Sequence, residues 1–391
     1  MTNLPWELIE DILRRLPVKS LKRFRCVAKS WCFLIDSDNF VKLHLNRSLI
    51  TNSHRSLILG GLGLYSIDLD SPEKAHVIKP PFYYKSADSV SNPINGLVLV
   101  MSERPVIWNP FSTEYKVLPE FCSDFPQPLD SYSKSSYGFG YDSGNDDYKV
   151  VRVIEFRHKT THFWMCSETQ IYGLKSNKWR KIESFPYQLP FLRGNWRVHV
   201  NGALHTLVEE PFSMYASKIM AFDIASEKHC ELMMPPGVRS RDVDVSLDML
   251  GGCLSVVCVS KSRVVMWVMK EYGVKESWTK LLTITPPAIE RHDFVKPLLY
   301  SRDGSKVLLN CDDKRLIWYD LKEKSVENLS ADGMPFVFYA EVCVQTLVSM
   351  NGSDEVKKQG QEIKKEKKEK KERKARNKRD DFLSEGFKLV L

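Results

Sequence analysis

A pattern that returns about every 50 residues constrains the fold of this chain more than any other feature. Five glycines each precede a short apolar strand pattern, at intervals of 48, 58, 50 and 52 residues: Gly96, Gly144, Gly202, Gly252 and Gly304. A second pattern occurs six times between residues 55 and 349 and consists of an apolar strand, a polar turn and a second strand. Four of these turns begin with a residue whose side chain can hydrogen-bond the backbone of the bend: Asp68, Asn109, Asp223 and Asp320.

Repeats of this length with several short strands each are typical of β-propeller blades. One four-stranded blade cannot bury its two faces alone, whereas blades arranged in a ring bury them against each other and leave only short edges. The sequence therefore predicts a kelch-like propeller of about six blades over residues 55–349.

The first 45 residues have a different, helical periodicity. Six residues mark one apolar face of a helix: Pro5, Leu8, Ile9, Ile12, Leu13 and Leu16. Two further short helices are expected around Leu21 and Trp31. Units below ~40 residues rarely bury so much apolar surface alone, so the surplus predicts a protein partner. The fold class is thus α+β and multidomain, with a three-helix unit before an all-β propeller.

The N-terminal string LPWELIEDILRRLPVKSLKRFRCVAKSW resembles an F-box, the unit that docks onto a Skp-type adaptor of a cullin–RING ubiquitin ligase. The resemblance assigns ten residues to adaptor contact or to the helical packing that presents it: Leu4, Pro5, Ile9, Leu13, Leu16, Pro17, Val18, Leu21, Val27 and Trp31. The alternative is an ordinary helical hairpin packed on the rest of the chain.

The repeats resemble the F-box-associated domain of plant F-box proteins, in the strings NPINGLVLV, VIWNPFSTEYKVLP and YGFGYDSGNDDYKVV. In that family this domain holds the protein destined for ubiquitination. The resemblance implies a non-catalytic substrate-recognition subunit whose partners are the adaptor, through it the cullin and RING subunits, and a protein substrate. The strings GLYSIDLDS and KRDDFLSEGFKLVL further resemble members that restrain plant defence by promoting turnover of nucleotide-binding leucine-rich-repeat immune receptors. A propeller scaffold that acts outside a ubiquitin ligase remains the alternative.

Four residues in the longer insertions between repeats are candidates for substrate contact: Trp164, Trp196, Arg193 and Arg197. Insertions of this kind lie on one face of a repeat fold. Arg239 and Arg241 occupy a similar insertion. By contrast, Trp108, Trp267 and Trp318 recur inside the hairpins, and we expect them to pack between blades.

The basic charge of the chain is concentrated in its C-terminal tail, residues 350–391. Residues 356–379 carry thirteen Lys and Arg against four Glu, a net charge of +9. The net charge of the whole chain is +8, so the remaining residues sum to −1. The propeller is therefore nearly neutral, and nucleic-acid binding by it has no electrostatic support. Seven residues form a candidate nuclear-targeting signal, with a solubilising helix as the alternative: Lys370, Lys371, Arg373, Lys374, Arg376, Lys378 and Arg379. The last twelve residues are apolar again, which suggests docking.

No residue pattern predicts a catalytic or metal site, and no cofactor is expected. The nine cysteines form no CxxC pair, and His158, His162 and Cys166 supply only three ligands where structural zinc takes four. The N-terminus has no secretory pattern, and no apolar run reaches the ~20 residues of a membrane span. We expect the protein in the cytoplasm and nucleus.

Overall fold

The computed structural model describes residues 5–85, 89–102, 104–120, 127–189, 196–209, 216–238, 243–285 and 294–350. These residues form a helical unit (residues 5–51) followed by six four-stranded antiparallel sheets.

The helical unit contains four helices, one more than the sequence predicted. They are α1 (Trp6–Arg14), α2 (Val18–Phe24), α3 (Lys29–Ile35) and α4 (Asp38–Thr51). Pro5 precedes α1 and Pro17 precedes α2, as suits a residue with no free N–H. The Ser37 hydroxyl caps α4 by accepting a hydrogen bond from the backbone N–H of Phe40 at 3.3 Å.

Each of the six sheets is one blade. Blade 1 contains β1 (Arg55–Gly60), β2 (Leu64–Asp68) and β3 (Ser71–Ile78), and blade 2 contains β4 (Ser89–Val90), β5 (Val98–Met101), β6 (Val106–Trp108) and β7 (Tyr115–Val117). Blade 3 contains β8 (Ser131–Asp142), β9 (Asp147–His158), β10 (Trp164–Gly173) and β11 (Lys178–Ile182). Blade 4 contains β12 (Val198–Val200), β13 (Ala203–Glu209), β14 (Ala216–Asp223) and β15 (Lys228–Leu232). Blade 5 contains β16 (Asp244–Leu250), β17 (Cys253–Val259), β18 (Val264–Met269) and β19 (Trp278–Ile284). Blade 6 contains β20 (Val295–Tyr300), β21 (Lys306–Cys311), β22 (Arg315–Asp320) and β23 (Val326–Leu329), and β24 (Tyr339–Val344) follows it.

The last strand closes the ring by completing the first blade. Strand β24 pairs antiparallel with β1, with Leu57 opposite Val342, so that blade 1 has the order β24-β1-β2-β3. The first strands of neighbouring blades contact one another from β8 through β12, β16 and β20 to β24. These strands therefore line the central axis, and the prediction of a propeller with about six blades is confirmed.

Both repeated sequence patterns correspond to hairpin turns of the blades. Four of the five glycines have positive φ in the turn between the first two strands of their blades, namely Gly96, Gly202, Gly252 and Gly304. Gly144 lies in the equivalent turn of blade 3. The second pattern is the hairpin of the third and fourth strands. There the carboxylates or amide oxygens of Asp68, Asn109, Asp223 and Asp320 accept backbone N–H groups two or three residues on, as predicted.

The apolar core of the propeller lies between the blades. Six clusters of buried side chains each join two neighbouring blades, and a seventh holds the helical unit together. Trp108 is 1% exposed in the cluster between blades 1 and 2. Trp267 and Trp318 pack against two of the other clusters, which confirms the packing interpretation of these tryptophans.

The antiparallel strands divide the connections between two faces of the ring. One face, which we call the helix-side face, carries the turns within the first and the second hairpin of each blade. The opposite face, the open face, carries the turns between second and third strands and the connections between blades. The helical unit touches the helix-side face, where Lys22 Nζ donates to the carbonyl of Phe111 at 2.5 Å and Lys42 Nζ pairs with Asp146 at 2.8 Å.

Candidate adaptor-binding surface

A small core holds the helical unit together. Leu13, Leu21, Ile35 and Phe40 are buried, one from each helix. The rings of Phe24 and Trp31 meet edge to face beside them, with centroids 5.6 Å apart. This core uses only part of the apolar surface that the helices carry.

Five other apolar side chains, on α1, on α3 and in the segment between α2 and α3, are exposed, and we call them the exposed helical surface. Its members are Trp6, Leu8, Ile12, Val27 and Phe33. Their exposed fractions run from 43% for Trp6 to 74% for Phe33. Exposed apolar side chains in this number on so small a unit indicate a protein-interaction site.

The ten residues assigned by resemblance divide into three groups. Pro5, Pro17 and Val27 are exposed, and Ile9, Leu16 and Trp31 are half-buried. Leu13, Val18 and Leu21 are buried, with exposed fractions of at most 2%, so they serve packing in this structure. Leu4 lies outside the described residues.

The assignment missed four of the five members of this surface. Leu8 and Ile12 lie on the predicted apolar face of the first helix, whereas no sequence pattern singled out Trp6 and Phe33. Trp6 directly follows Pro5 at the start of α1, and Phe33 lies within the apolar run of α3. The signal was present in both cases as an apolar residue in a helical segment, but periodicity alone does not say which side of a short helix is covered.

Polar contacts fix the ends of the helices relative to one another. Arg25, after α2, pairs with Asp36, after α3, at 2.6 Å. The two carbonyls that follow α1 face histidines: His44 Nε2 lies 2.9 Å from Leu16 O, and His54 Nε2 lies 3.2 Å from Arg15 O. Burial lowers the pKa of His44, so its ring is neutral near pH 7 and donates from Nε2, because a carbonyl only accepts.

The propeller also supports the helical unit directly. Leu347, which follows β24, packs against the helical core. The backbone carbonyl of His54 accepts the backbone N–H of Gln345 at 2.8 Å, and the Gln345 side chain donates to the Ser56 hydroxyl at 3.2 Å. The exposed helical surface is thus carried on a unit that is attached to the ring at several points.

The candidate substrate residues lie at separate places. Trp164 is half-buried at the start of β10, and Arg197 is exposed just before β12. Trp196 is 1% exposed and packs against Phe185, so its side chain is not available at the surface. Arg193, Arg239 and Arg241 lie outside the described residues, as do the nuclear-targeting candidates and the rest of residues 351–391.

The described residues contain no group of three His, Cys, Asp or Glu side chains placed to hold a metal ion. His158 Nδ1 instead accepts the backbone N–H of Thr161 at 3.2 Å. His162, in the turn after β9, lies against Tyr132 of β8. No helix in the described part of the chain is long and apolar enough to cross a membrane.

Comparisons with known proteins match both units. The F-box domain model matches residues 1–43, and the model of the F-box associated beta propeller domain matches residues 63–354. F-box protein CPR1 of Arabidopsis thaliana is 35% identical over 415 residues and is covered, like this chain, over 100% of its length. An F-box/kelch-repeat protein of the same plant is 34% identical over 328 residues, which cover 78% of this chain and 85% of that protein.

Proposed function

The chain belongs to the F-box proteins that carry an F-box-associated β-propeller, and from this membership we propose that it is the substrate-recognition subunit of a Skp–cullin–F-box ubiquitin ligase. The helical unit binds a Skp-type adaptor, and through it the cullin and RING subunits. The propeller binds the protein to be ubiquitinated, which the proteasome then degrades.

The observation that carries this proposal is the exposed helical surface within the segment that matches the F-box. A stable protein interface buries about 1,200–2,000 Å² in total and has an apolar centre. Leu8, Ile12 and Phe33 supply side chains for such a centre, since each is at least 51% exposed.

The proposed role requires no bond chemistry from this chain. The ligase acts by proximity, because it holds a substrate lysine near the ubiquitin carrier and so raises its effective concentration. We therefore propose a non-catalytic adaptor subunit that needs no cofactor.

We propose more finely that the substrate is a plant immune receptor of the nucleotide-binding leucine-rich-repeat class, which makes the protein a negative regulator of defence. The support is the sequence resemblance of GLYSIDLDS and the C-terminal KRDDFLSEGFKLVL to defence-restraining family members. Receptor abundance in plants with and without the protein tests this step: unchanged receptor half-lives would count against it.

We also propose that the protein works in the cytoplasm and the nucleus. The support is the run of basic residues from Lys370 to Arg379. A fluorescent fusion in which these residues are replaced by Gln should lose its nuclear fraction.

The adaptor interaction is tested by charge substitution on the exposed helical surface. We expect Ile12→Asp together with Phe33→Asp to weaken binding of a Skp-type adaptor at least about tenfold, because two carboxylates would lie unpaired in an apolar interface. Ile50→Asp is the matched control, since Ile50 is 82% exposed on α4. Pull-down of full-length protein measures the effect, with circular dichroism to check folding. Equal adaptor recovery by the double variant and the control would contradict the proposal.

The second candidate function is a propeller scaffold that acts outside a ligase. A scaffold would have the same fold and the same exposed helical surface, but its complex with the adaptor would contain no cullin. Recovery of cullin together with the adaptor separates the two.

A further inference from the structure

Exposed apolar side chains are concentrated on the open face of the propeller. Among the described propeller residues, eight large apolar side chains are at least half exposed, and seven of them lie on this face: Leu62, Tyr83, Leu129, Phe163, Met233, Phe336 and Val337. The eighth, Val77, lies on the outermost strand of blade 1. The open face is also the one that the helical unit leaves uncovered.

Four of these residues cluster where blades 6, 1 and 2 meet, and we call them the mouth patch: Leu62, Tyr83, Phe336 and Val337. Their exposed fractions reach 93% for Leu62 and 85% for Phe336.

Neighbouring contacts hold the segments of the mouth patch together. The carbonyl of Val337 lies 2.6 Å from where a Cβ on Gly61 would stand, next to Leu62. The ring of Tyr339 packs on Gly60, and its hydroxyl lies 3.2 Å from that of Tyr84, next to Tyr83. A side chain at Gly60 or Gly61 would separate these segments.

A network of charges lies at the inner strands beside the patch. Lys296 Nζ on β20 contacts the Glu341 carboxylate on β24 at 2.5 Å and that of Asp248 on β16 at 3.9 Å. Burial opposes the charge of Lys296, but the two carboxylates outweigh it and raise its pKa. The network joins blades 5, 6 and 1.

Arg197 adds a positive charge that this network does not pair. It precedes the inner strand of blade 4, is exposed, and makes no ion pair with another described residue. Burial raises the pKa of Asp313 and of Tyr339, and the charge of Arg197 acts against that rise in both. Arg197 directly precedes β12, one of the strands that line the central axis, and lies at the open-face end of that strand. It therefore lies at the mouth of the central channel, on the same face as the patch.

We propose that the mouth patch and Arg197 together form the substrate-binding site. Arg197 binds an anionic side chain of the substrate, and Leu62, Tyr83, Phe336 and Val337 bind the apolar residues beside it. This inference rests on the proposed function and deepens it by naming the chemistry of the segment that is recognised. A guanidinium presents a planar fork of donors that suits the oxygens of a carboxylate or a phosphate.

The placement allows both partners to bind at once. The adaptor would occupy the helical unit on the helix-side face, while the substrate occupies the open face across the ring. The two sites share no described residue.

The test selects binding peptides from a random library, so the substrate need not be identified first. A display library of 12-residue peptides is panned against the full-length protein in complex with a Skp-type adaptor. Enriched peptides are synthesised with a fluorescent label, and their Kd is measured by anisotropy. We expect an acidic residue flanked by Leu, Phe or similar side chains.

Variants locate the binding site of these peptides. We expect Arg197→Glu and Phe336→Asp each to weaken binding at least about tenfold, as loss of a charge-assisted hydrogen bond or an apolar contact does. Arg197→Lys should lie between wild type and Arg197→Glu. Val274→Asp, an exposed apolar position on the helix-side face, should stay within about twofold of wild type.

Pairs of peptides that differ only at the acidic residue identify the anion that Arg197 binds. Replacement of the acidic residue by its amide should weaken binding, and replacement by phosphoserine distinguishes a phosphate preference from a carboxylate preference. Peptides without an acidic residue, or peptides whose affinity is unchanged in Arg197→Glu, would overturn the proposal.

A peptide of residues 380–391 of this chain is a second probe, because it combines Asp380, Asp381 and Glu385 with apolar residues. If it binds more tightly than every library peptide and depends on Arg197, the site belongs to the chain's own end and the substrate assignment is wrong. If the adaptor stays bound to the full-length protein during the panning, the proposed function stands even where this inference fails.

Discussion

At the scale of single residues, buried histidines make the stability of this propeller depend on pH. His205 on β13 is 0% exposed and lies between two partners. Its Nδ1 is 3.1 Å from the Val198 carbonyl, and its Nε2 is 2.8 Å from the hydroxyl of Tyr272, in blade 5. Since the carbonyl only accepts, Nδ1 carries the proton and Nε2 accepts from Tyr272, so a neutral ring joins blades 4 and 5.

We predict that His205 makes the propeller less stable in acid. Burial lowers the pKa of His205 to about 4, well below the ~6.5 of an unfolded histidine. The unfolded chain therefore binds a proton first, and the stability contributed above pH ~6.5 is lost as the pH falls towards 4. Urea unfolding at pH 7 and pH 5 measures the loss, which we expect to be about 1–2 kcal/mol.

His205→Gln should show a shallower pH dependence than wild type over that interval. His76→Gln is the control, since His76 is exposed on β3. Identical pH profiles for wild type and His205→Gln would contradict the assignment. His199, whose pKa burial also lowers to about 4, should leave part of the dependence in place.

At the scale of elements, the hairpins were predictable from sequence because their turns demand particular residues. Asn95-Gly96 and Asn201-Gly202 both have positive φ at two successive positions, which only a few residue types adopt without strain. The Asx turns at Asp223 and Asp320 depend in the same way on a short acceptor side chain. Turn residues of this kind can be recognised within the sequence of a single repeat.

Helix α4 was not predictable by the same means. Its buried residues are Phe40, His44, Leu45 and Ser48, and two of these are polar. His44 is buried because it hydrogen-bonds the carbonyl of Leu16, a partner 28 residues away. Apolar periodicity cannot reveal a face whose burial depends on such a distant contact.

The candidate adaptor surface was predictable as a region but not side chain by side chain. Ile12 and Leu13 are neighbours on the stripe of α1, yet Ile12 is 51% exposed and Leu13 is 1% exposed. Which of them faces the core depends on where α2, α3 and α4 pack. The site on the open face depends even more on tertiary structure, since Arg197 comes from blade 4 whereas the mouth patch lies where blades 6, 1 and 2 meet.

Strand β24 is the element on which closure of the ring depends most directly. We predict that Ala340→Asp, which places a carboxylate where the exposed fraction is 0%, lowers the free energy of unfolding by several kcal/mol or prevents folding. Val326→Asp on the outer strand β23 is the control, because Val326 is 36% exposed. Thermal unfolding measures both, and similar melting temperatures for the two variants would refute a central role for β24.

For the whole molecule, the arrangement of the two faces connects structure to function. Lys22 and Lys42 attach the helical unit to turns on the helix-side face, and Leu347 packs into its core from the end of the ring. An adaptor bound to the exposed helical surface would thus hold the propeller in a defined position. Its open face, with Arg197 and the mouth patch, would remain free for a substrate.

The most direct test of this account is the mass of the complex formed by the full-length protein with a Skp-type adaptor and a cullin. Size-exclusion chromatography with light scattering measures it. The account predicts a single species containing one copy of each, and its loss when Ile12 and Phe33 are both replaced by Asp. Elution of the full-length protein apart from the cullin, with the adaptor present, would contradict a substrate receptor and favour a scaffold outside the ligase.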